Sequence, residues 1–293
     1  MKIQPLHILL IIIVFFASSM LMYSIISKNQ KNPLAVILPS PTPIYLAKAS
    51  ATAGPSNTPM PTNTPTPTAT PTNTPTPTPK PITHFYTLPP GSVLPSGEYC
   101  ALHVRRSNWE PRPENNEPNH TIPVAGRDYS IIDWGPNSFG QNEKANTLRV
   151  RINGNFIGTT DEILQWAACK WGIDEDIVRA QAVQESYWRM SQRGDGDQSV
   201  GILQVKMSVH RNPDPAAKIS TAFNADYTYA FWRSCYEGYI DWLHAEHPEY
   251  NGGDVWGCLG HWASGGWNNE DGNRYINNVK AHLNSRRWSQ SDF

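Results

Sequence analysis

The stretch IDEDIVRAQAVQESYWRMSQRGDGDQSVGILQV, residues 173–205, decides the fold class of this chain. It begins as a helix, because Asp174 can accept hydrogen bonds from the free N–H groups of a first helical turn. Apolar side chains then cover nearly every face as far as Glu185-Ser186, which indicates a buried helix rather than an amphipathic one. A glycine-rich loop, Gly194–Asp197, leads on to Gly201-Ile202-Leu203-Gln204. The stretch therefore delivers Glu185 to the C-terminal end of a buried helix.

Helical signals dominate the chain from Thr160 onward. Thr160 is predicted to cap the helix that precedes the quoted stretch, and Gly172 to end it. Apolar residues at helical spacing indicate three later helices, one with Phe223, Tyr227 and Phe231, one over about Gly253–Trp262, and one with Ile276, Val279 and Leu283. The predicted fold class is therefore mainly α.

The region before these helices has a different composition. Residues 91–159 are rich in Pro, Asn and Gly, which predicts irregular structure. Short pieces such as Leu148–Ile152 have strand-like composition, and Asn153-Gly154 predicts a turn. We therefore predict one folded domain over residues 91–293, with an irregular N-terminal extension over 91–159 and a helical core over 160–288.

The first 28 residues predict export. From Leu6 to Ile26 the sequence is almost uninterrupted Leu, Ile, Val, Phe and Met, about as long as a transmembrane helix. A signal anchor and a cleaved signal peptide are the alternatives, and the length of the apolar run with no clean Ala-x-Ala site favours the anchor. An anchor would hold the rest of the chain outside the cell membrane, facing the cell wall, whereas a cleaved chain would be secreted.

Residues 29–90 form a Pro/Thr-rich linker, with Thr-Pro dipeptides repeating from Thr58 to Pro79. Proline fixes φ and removes backbone donors, so we predict a disordered, extended polyproline II stalk with no core. About 55 residues at about 3.1 Å each reach up to about 170 Å. Such a stalk would carry a domain away from a membrane and into a thick cell wall.

Charge and aromatic content narrow the class of ligand. A formal net charge of −1 offers no basic surface for nucleic acid. All eleven tryptophans lie between Trp109 and Trp288, within the predicted folded part. Most are expected in the core, because indole buries a large area. The others suit a groove for sugars, whose C–H faces stack on indole.

The four cysteines all follow the stalk, and an even number in an exported domain favours disulfides over free buried thiols. Three pairings are possible. We expect Cys100–Cys169, joining the extension to the helix before the quoted stretch, and Cys235–Cys258, joining two successive helices. No Cys-x-x-Cys spacing supports a zinc site, and we expect no metal.

Several motifs taken together resemble the soluble lytic transglycosylases and goose-type lysozymes. That group has a Glu-Ser pair at the end of an apolar helix and a later Gly-Leu-Met-Gln motif, which here are Glu185-Ser186 and Gly201–Gln204. Trp262–Gly265 stands where the group often has Tyr-Asn-Ala-Gly, and Tyr275 matches a later tyrosine. The resemblance covers about residues 160–288 and implies a lysozyme-like α-helical catalytic domain.

The resemblance also implies roles for single residues. Glu185 would be the catalytic acid and base. The residues expected to bind substrate are Ser186, Gly201, Gln204, Trp262 and Tyr275, and those expected to position water are Asp195 and Asp197. Each has a structural alternative: Ser186 could cap the loop, Gln204 could bond to it, the two aspartates could form Asx turns, and Tyr275 could pack between helices. Lys206 departs from the group, because goose-type lysozymes have a second aspartate there.

Residue chemistry supports the role of Glu185 independently. Cleaving a glycosidic bond needs a proton for the leaving oxygen, and an ordinary glutamate is ionised at neutral pH. Apolar surroundings such as this helix and Trp188 raise the pKa of a carboxyl, so that it can donate a proton and take one back.

The sequence thus predicts a peptidoglycan lytic transglycosylase. It would cut the β-1,4 bond between N-acetylmuramic acid and N-acetylglucosamine and leave 1,6-anhydro ends. The alternatives are hydrolysis by a goose-type-lysozyme-like muramidase, a chitin-directed enzyme on the same fold, and an inactive wall-binding module. The expected partners are glycan strands and, through the N-terminal helix, the membrane. We expect a monomer without cofactor.

Overall fold

The computed structural model describes residues 82–123, 143–210 and 213–293, all of which belong to one structural unit, Thr74–Phe293. These residues are mainly helical, as the sequence predicted. The predicted membrane segment over residues 1–28 and the linker up to residue 81 lie outside the described residues. Within the described ranges, no helix has both the length and the apolar character needed to cross a membrane.

Helices account for most of the described chain. They are α1 (Gly97–His103), α2 (Asn116–Asn119), α3 (Glu143–Arg149), α4 (Thr160–Trp171), α5 (Glu175–Ser186), α6 (Ala216–Ile219), α7 (Thr221–Tyr236), α8 (Asp241–Glu246), α9 (Val255–Ser264) and α10 (Glu270–Ser285), with single 3₁₀ turns at Pro113–Asn115 and Arg287–Ser289. A small antiparallel sheet of order β1-β2-β3 stands between α5 and α6, with β1 at Arg193–Gly194, β2 at Ser199–Val200 and β3 at Val205–Lys206.

The ends of the two central helices follow from their capping residues. Helix α4 begins one residue earlier than predicted, because Thr159 and not Thr160 is the N-cap; its side chain and that of Glu162 form a reciprocal capping box. Gly172 ends α4 in the left-handed conformation, as expected. Asp174 caps α5 by accepting hydrogen bonds from two backbone N–H groups of the first turn.

Two parts of the region before α4 differ from the prediction. Leu148–Ile152 is not a strand: it comprises the last two residues of α3 and the turn that follows, and Leu148 and Ile152 are buried. The predicted linker also extends too far. Residues 82–90 pack on the domain, where Phe85 is buried and its N–H donates to Glu175, and Leu88 N–H donates to the Gly172 carbonyl. Composition alone could not show this, because the contacts lie about 90 residues away in sequence.

The helices pack so that α5 lies between α4 and α10, while α7 packs on α4 and α9 packs on α10. Tryptophans fill much of this core, as predicted: the buried ones are Trp166, Trp171, Trp188, Trp232, Trp267 and Trp288. Trp109, by contrast, is exposed. This arrangement brings the C-terminal end of α5 next to α10.

Both predicted disulfides are present. Cys100–Cys169 joins α1 to α4, with the two Cα atoms 5.7 Å apart. Cys235–Cys258 joins α7 to α9 at the same Cα separation. The short helix α8 lies between those two helices, so they are not successive as expected.

A buried ion pair stabilises the centre of the domain. Lys170 Nζ lies 2.7 Å from Asp226 Oδ2, and both side chains are almost fully buried. Asp226 also accepts hydrogen bonds from the Trp171 indole and from the backbone N–H groups of Asn153 and Gly154. Burial lowers the pKa of Lys170 despite this partner. The positive charge of the buried Lys170 needs Asp226 as its partner, because an unpaired ammonium in a protein interior destabilises the fold.

Candidate active site

Glu185 is the second-to-last residue of α5, which ends at Ser186. Tyr187 and Trp188 both take positive φ values, 55° and 65°, which turns the chain sharply away from the helix. Side chains other than glycine rarely adopt this conformation, at a cost of about 1–3 kcal/mol each. Trp188 offsets part of it, since its indole is fully buried and donates to the Arg179 carbonyl. The strain is therefore located next to Glu185.

Glu185 lies in a cleft of about 280 Å³ between α5, the small sheet and the ends of α9 and α10. The described residues that line this cleft are Gln184, Glu185, Gly194, Asp195, Ser199, Gln204, Lys206, Trp262, Ala263 and Tyr275. The cleft thus brings together Glu185, Gln204, Trp262, Tyr275 and Asp195 from the residues proposed on sequence grounds. Ser186, Gly201 and Asp197 do not line it.

The protonation of Glu185 is set mainly by burial. Desolvation raises the pKa of the carboxyl to about 7, and the nearby charge of Asp195 adds to the increase. Interactions with Tyr275 and Trp262 work in the opposite direction, because they favour the ionised form. The carboxyl is therefore divided between its acid and base forms near neutral pH. This is the property that a single acid and base residue needs.

Tyr275, on α10, contacts the carboxyl directly. Its hydroxyl donates to Glu185 Oε1 over 2.5 Å. Burial is the main reason that the pKa of Tyr275 is raised well above 10, so the phenol stays a hydrogen-bond donor at any working pH. This donor fixes one oxygen of the carboxyl.

A hydrogen bond between two buried side chains holds α5 near the Glu185 carboxyl. Gln181 lies one helical turn before Glu185, and its Oε1 accepts a hydrogen bond from the buried Tyr229 hydroxyl over 3.0 Å. The sequence interpretation missed both residues. The spacing of four between Gln181 and Glu185 was the available signal, since residues four apart share one helical face.

Asn224 on α7 holds the Gly201–Gln204 turn. Its side chain accepts from the Leu203 N–H and donates to the carbonyls of Val200 and Ala217. Gly201 has φ 80°, and a Cβ there would come within 2.3 Å of Asn224 Nδ2. The turn therefore requires glycine at position 201, and Gly201 does not line the cleft.

Ser186 forms a structural hydrogen bond at the end of α5. It is buried, and its hydroxyl donates to the Ile202 carbonyl over 2.8 Å, which ties the end of α5 to the turn. Gln204 differs, because it lines the cleft while its Nε2 donates to the Gly201 carbonyl over 2.7 Å. Its side chain thus combines the structural bond with a place in the cleft wall.

The two aspartates of the glycine-rich loop have different surroundings in the structure. Asp195 lines the cleft, accepts from Ser199 Oγ over 2.9 Å and pairs with Lys206 Nζ at 3.0 Å. These contacts, that with Lys206 first, lower the pKa of Asp195. Asp197 is exposed and lies outside the cleft lining, contrary to expectation. Lys206, which stands where goose-type lysozymes have a second aspartate, is therefore the partner of Asp195.

Trp262, on α9, forms one wall of the cleft. It stacks on His210 at a centroid distance of 5.3 Å and meets Phe231 edge to face at 5.6 Å. The indole is only partly buried, so it keeps a surface toward the cleft. A rigid aromatic wall of this kind suits the C–H face of a sugar ring.

Another cluster of ionisable residues lies away from the Glu185 cleft. A cavity of about 870 Å³, larger than the cleft, lies at the opposite end of α5, around Glu175, Asp176 and Arg179. There His84, Glu175 and Asp176 are close enough to share a metal. Arg179 pairs with both carboxylates at 2.8 Å, so their charge is already balanced by a guanidinium.

The chain matches no protein-family model, no curated protein and no solved structure. Function must therefore be argued from the cleft, because a fold alone does not specify a reaction.

Proposed function

We propose that this chain is a peptidoglycan lytic transglycosylase that cuts the bond between N-acetylmuramic acid and N-acetylglucosamine, with Glu185 as acid and base. The observation that carries the proposal is a single carboxyl with a pKa of about 7, held by Tyr275 in a cleft with an aromatic wall. We extend the proposal to a lysozyme-like fold for the helical core, in line with the resemblance of the Glu185-Ser186 and Gly201–Gln204 motifs.

The reaction requires one group that first donates a proton and later accepts another. Protonated Glu185 donates its proton to the glycosidic oxygen, the bond from that oxygen to muramic acid C1 breaks, and the N-acetylglucosamine end leaves as an alcohol. The 6-hydroxyl of the same muramic acid then attacks C1 and gives its proton to ionised Glu185. A 1,6-anhydro ring forms, no water is consumed, and Glu185 returns to its starting state. Intramolecular attack is favoured by proximity.

The state of Asp195 favours this route over hydrolysis. An inverting hydrolase needs a second carboxylate that acts as a base toward water. Glu185 and Asp195 are the carboxylates among the described residues that line the cleft. Asp195 is engaged by Lys206 and Ser199, and these contacts lower its pKa, which makes it a weak base. Hydrolysis remains the second candidate because Asp195 does lie in the cleft.

We also propose that the enzyme acts outside the cytoplasm, tethered by its N-terminal apolar segment, with glycan strands as its partner. The two disulfides support an oxidising compartment. The apolar run from Leu6 to Ile26 supports the tether.

The proposal is tested by digesting purified peptidoglycan with the full chain and weighing the fragments. We expect anhydro ends, each one water lighter than a reducing end. Glu185→Gln should lower the rate by about 10²–10⁴-fold, because the transferable proton is lost. Glu246→Gln is the matched control, since Glu246 is an exposed glutamate at the end of another helix, α8.

Asp195→Asn separates the two candidates. A transglycosylase should retain most of its activity in this variant and still make anhydro ends. Fragments with reducing ends only, together with loss of activity in Asp195→Asn, would identify a hydrolase. Intact peptidoglycan after prolonged digestion by the folded wild-type chain would refute both.

A further inference from the structure

A second, smaller pocket adjoins the cleft. It measures about 110 Å³ and shares three lining residues with the cleft, namely Lys206, Trp262 and Ala263. Its far side is formed by His210 and Phe231, among others. The shared residues make the two cavities neighbours along one wall, so a sugar in the cleft could direct a substituent into the smaller pocket.

The two cavities differ in charge. The cleft contains the carboxyls of Glu185 and Asp195, whereas none of the described residues that line the smaller pocket is acidic. Lys206 is the one cation among the described residues of the cleft wall, and it also lines the pocket. An anionic substituent would be attracted toward Lys206, the cation that the two cavities share.

Lys206 can change partners at low cost. Its side chain is 48% exposed and that of Asp195 is 54% exposed, and exposed ion pairs of this kind contribute little stability. A ligand carboxylate that reaches Nζ can therefore share the ammonium with Asp195 or replace it. A volume of about 110 Å³ admits several water-sized groups, which is enough for a short carboxylate-bearing branch.

We propose that the pocket between Lys206, His210 and Trp262 is a subsite for a carboxylate carried by the muramic acid moiety, and that Lys206 binds it. This inference rests on the proposed function and deepens it. Two sources of the carboxylate exist in peptidoglycan: the lactyl group of strands without peptide stems, and the stem itself where it is present. Chitin has neither, so the subsite makes muramic acid the preferred sugar at this position.

The test compares three glycans of equal length: strands with stems, strands freed of stems by an amidase, and N-acetylglucosamine oligomers. Cleavage is measured with the full chain, and binding is measured in the Glu185→Gln background. We expect preference for a carboxylate-bearing glycan over the N-acetylglucosamine oligomer. Lys206→Met should reduce that preference ratio about tenfold or more, because hydrogen bonds to charged groups are the strong ones. Lys206→Arg should restore most of it.

Lys218→Met is the matched control, since Lys218 forms an exposed pair with Asp214 that lies outside both cavities. If the stem-free strand shows the largest effect of Lys206→Met, the lactyl carboxylate is the ligand; if the strand with stems does, the stem carboxylate is. An unchanged preference ratio in Lys206→Met overturns the inference while leaving the proposed function intact. A wild-type chain that neither cuts nor binds any of the three glycans contradicts both.

Discussion

The Tyr275 hydroxyl and the Glu185 carboxyl are joined by a 2.5 Å hydrogen bond across 90 residues of sequence. The bond links α10 to the end of α5 and opposes the effect of burial on the pKa of Glu185. Tyr275 on α10 therefore contributes to both the position and the acidity of the carboxyl. The proposed acid and base function of Glu185 depends on this balance, because a higher or lower pKa would favour one half of the proposed reaction over the other.

Tyr275→Phe should raise the pKa of Glu185, because it removes a donor that favours the ionised carboxyl. The wild-type profile of kcat/KM should fall as pH rises through about 7, where Glu185 loses its proton. In Tyr275→Phe this alkaline limb should move to higher pH. The measurement is kcat/KM against pH on peptidoglycan, with the exposed Tyr86→Phe as control. A purely structural role for Tyr275 would lower the rate without moving the limb.

Glu185→Gln should stabilise the protein at alkaline pH. The folded-state pKa of about 7 lies above the usual value of 4.5, so the folded protein binds this proton more tightly than the unfolded chain does. The free energy of unfolding therefore falls as pH rises from 4.5 through 7. At pH 8 this loss of stability reaches up to about 3 kcal/mol. Glutamine does not ionise, so the variant avoids the loss. Urea unfolding of both proteins at pH 4 and pH 8 measures the effect, with Glu246→Gln as control; a difference independent of pH would contradict the raised pKa.

Local signals in the sequence predicted the five longest of the described helices, α4, α5, α7, α9 and α10, but not the shorter ones. Capping residues such as Asp174 and Gly172 were sufficient, because they act on neighbouring N–H and C=O groups. The error at Thr159 was one residue, and the Glu162 side chain that completes the box was the clue that would have corrected it. The two disulfides were also predicted, since only three pairings had to be distinguished.

Contacts distant in sequence could not be predicted in the same way. The packing of Phe85 on α5 and the pairing of Lys170 with Asp226 depend on the folded arrangement of helices, which no local pattern encodes. The Lys206–Asp195 pair joins β3 to the loop between β1 and β2 and depends on the register of the sheet. The motifs also could not show that Ser186 bonds to the Gly201–Gln204 turn and that Gly201 forms part of it, because a motif does not distinguish a residue that builds a turn from one that faces the cleft.

The two disulfides should stabilise the domain unequally. Cys100–Cys169 closes a loop with a sequence separation of 69, and Cys235–Cys258 one of 23. If loop entropy dominates, removing them should cost about 4 and about 3 kcal/mol, respectively. Paired replacements by alanine, followed by urea unfolding, measure each cost. A larger loss for Cys235–Cys258 would show that chain entropy is not the main term.

Asp226→Asn should be among the most destabilising single changes in the core. It leaves the Lys170 ammonium buried without its counter-charge, and breaking such a pair costs about 3–5 kcal/mol. Asp214→Asn is the matched control, because it breaks the exposed pair with Lys218 and should cost less than about 1 kcal/mol. Urea unfolding at neutral pH measures both. If Asp226→Asn does not fold, the double variant Lys170→Met/Asp226→Asn should recover folding, since no uncompensated charge remains. Equal losses for Asp226→Asn and Asp214→Asn would show that the buried pair does not stabilise the fold.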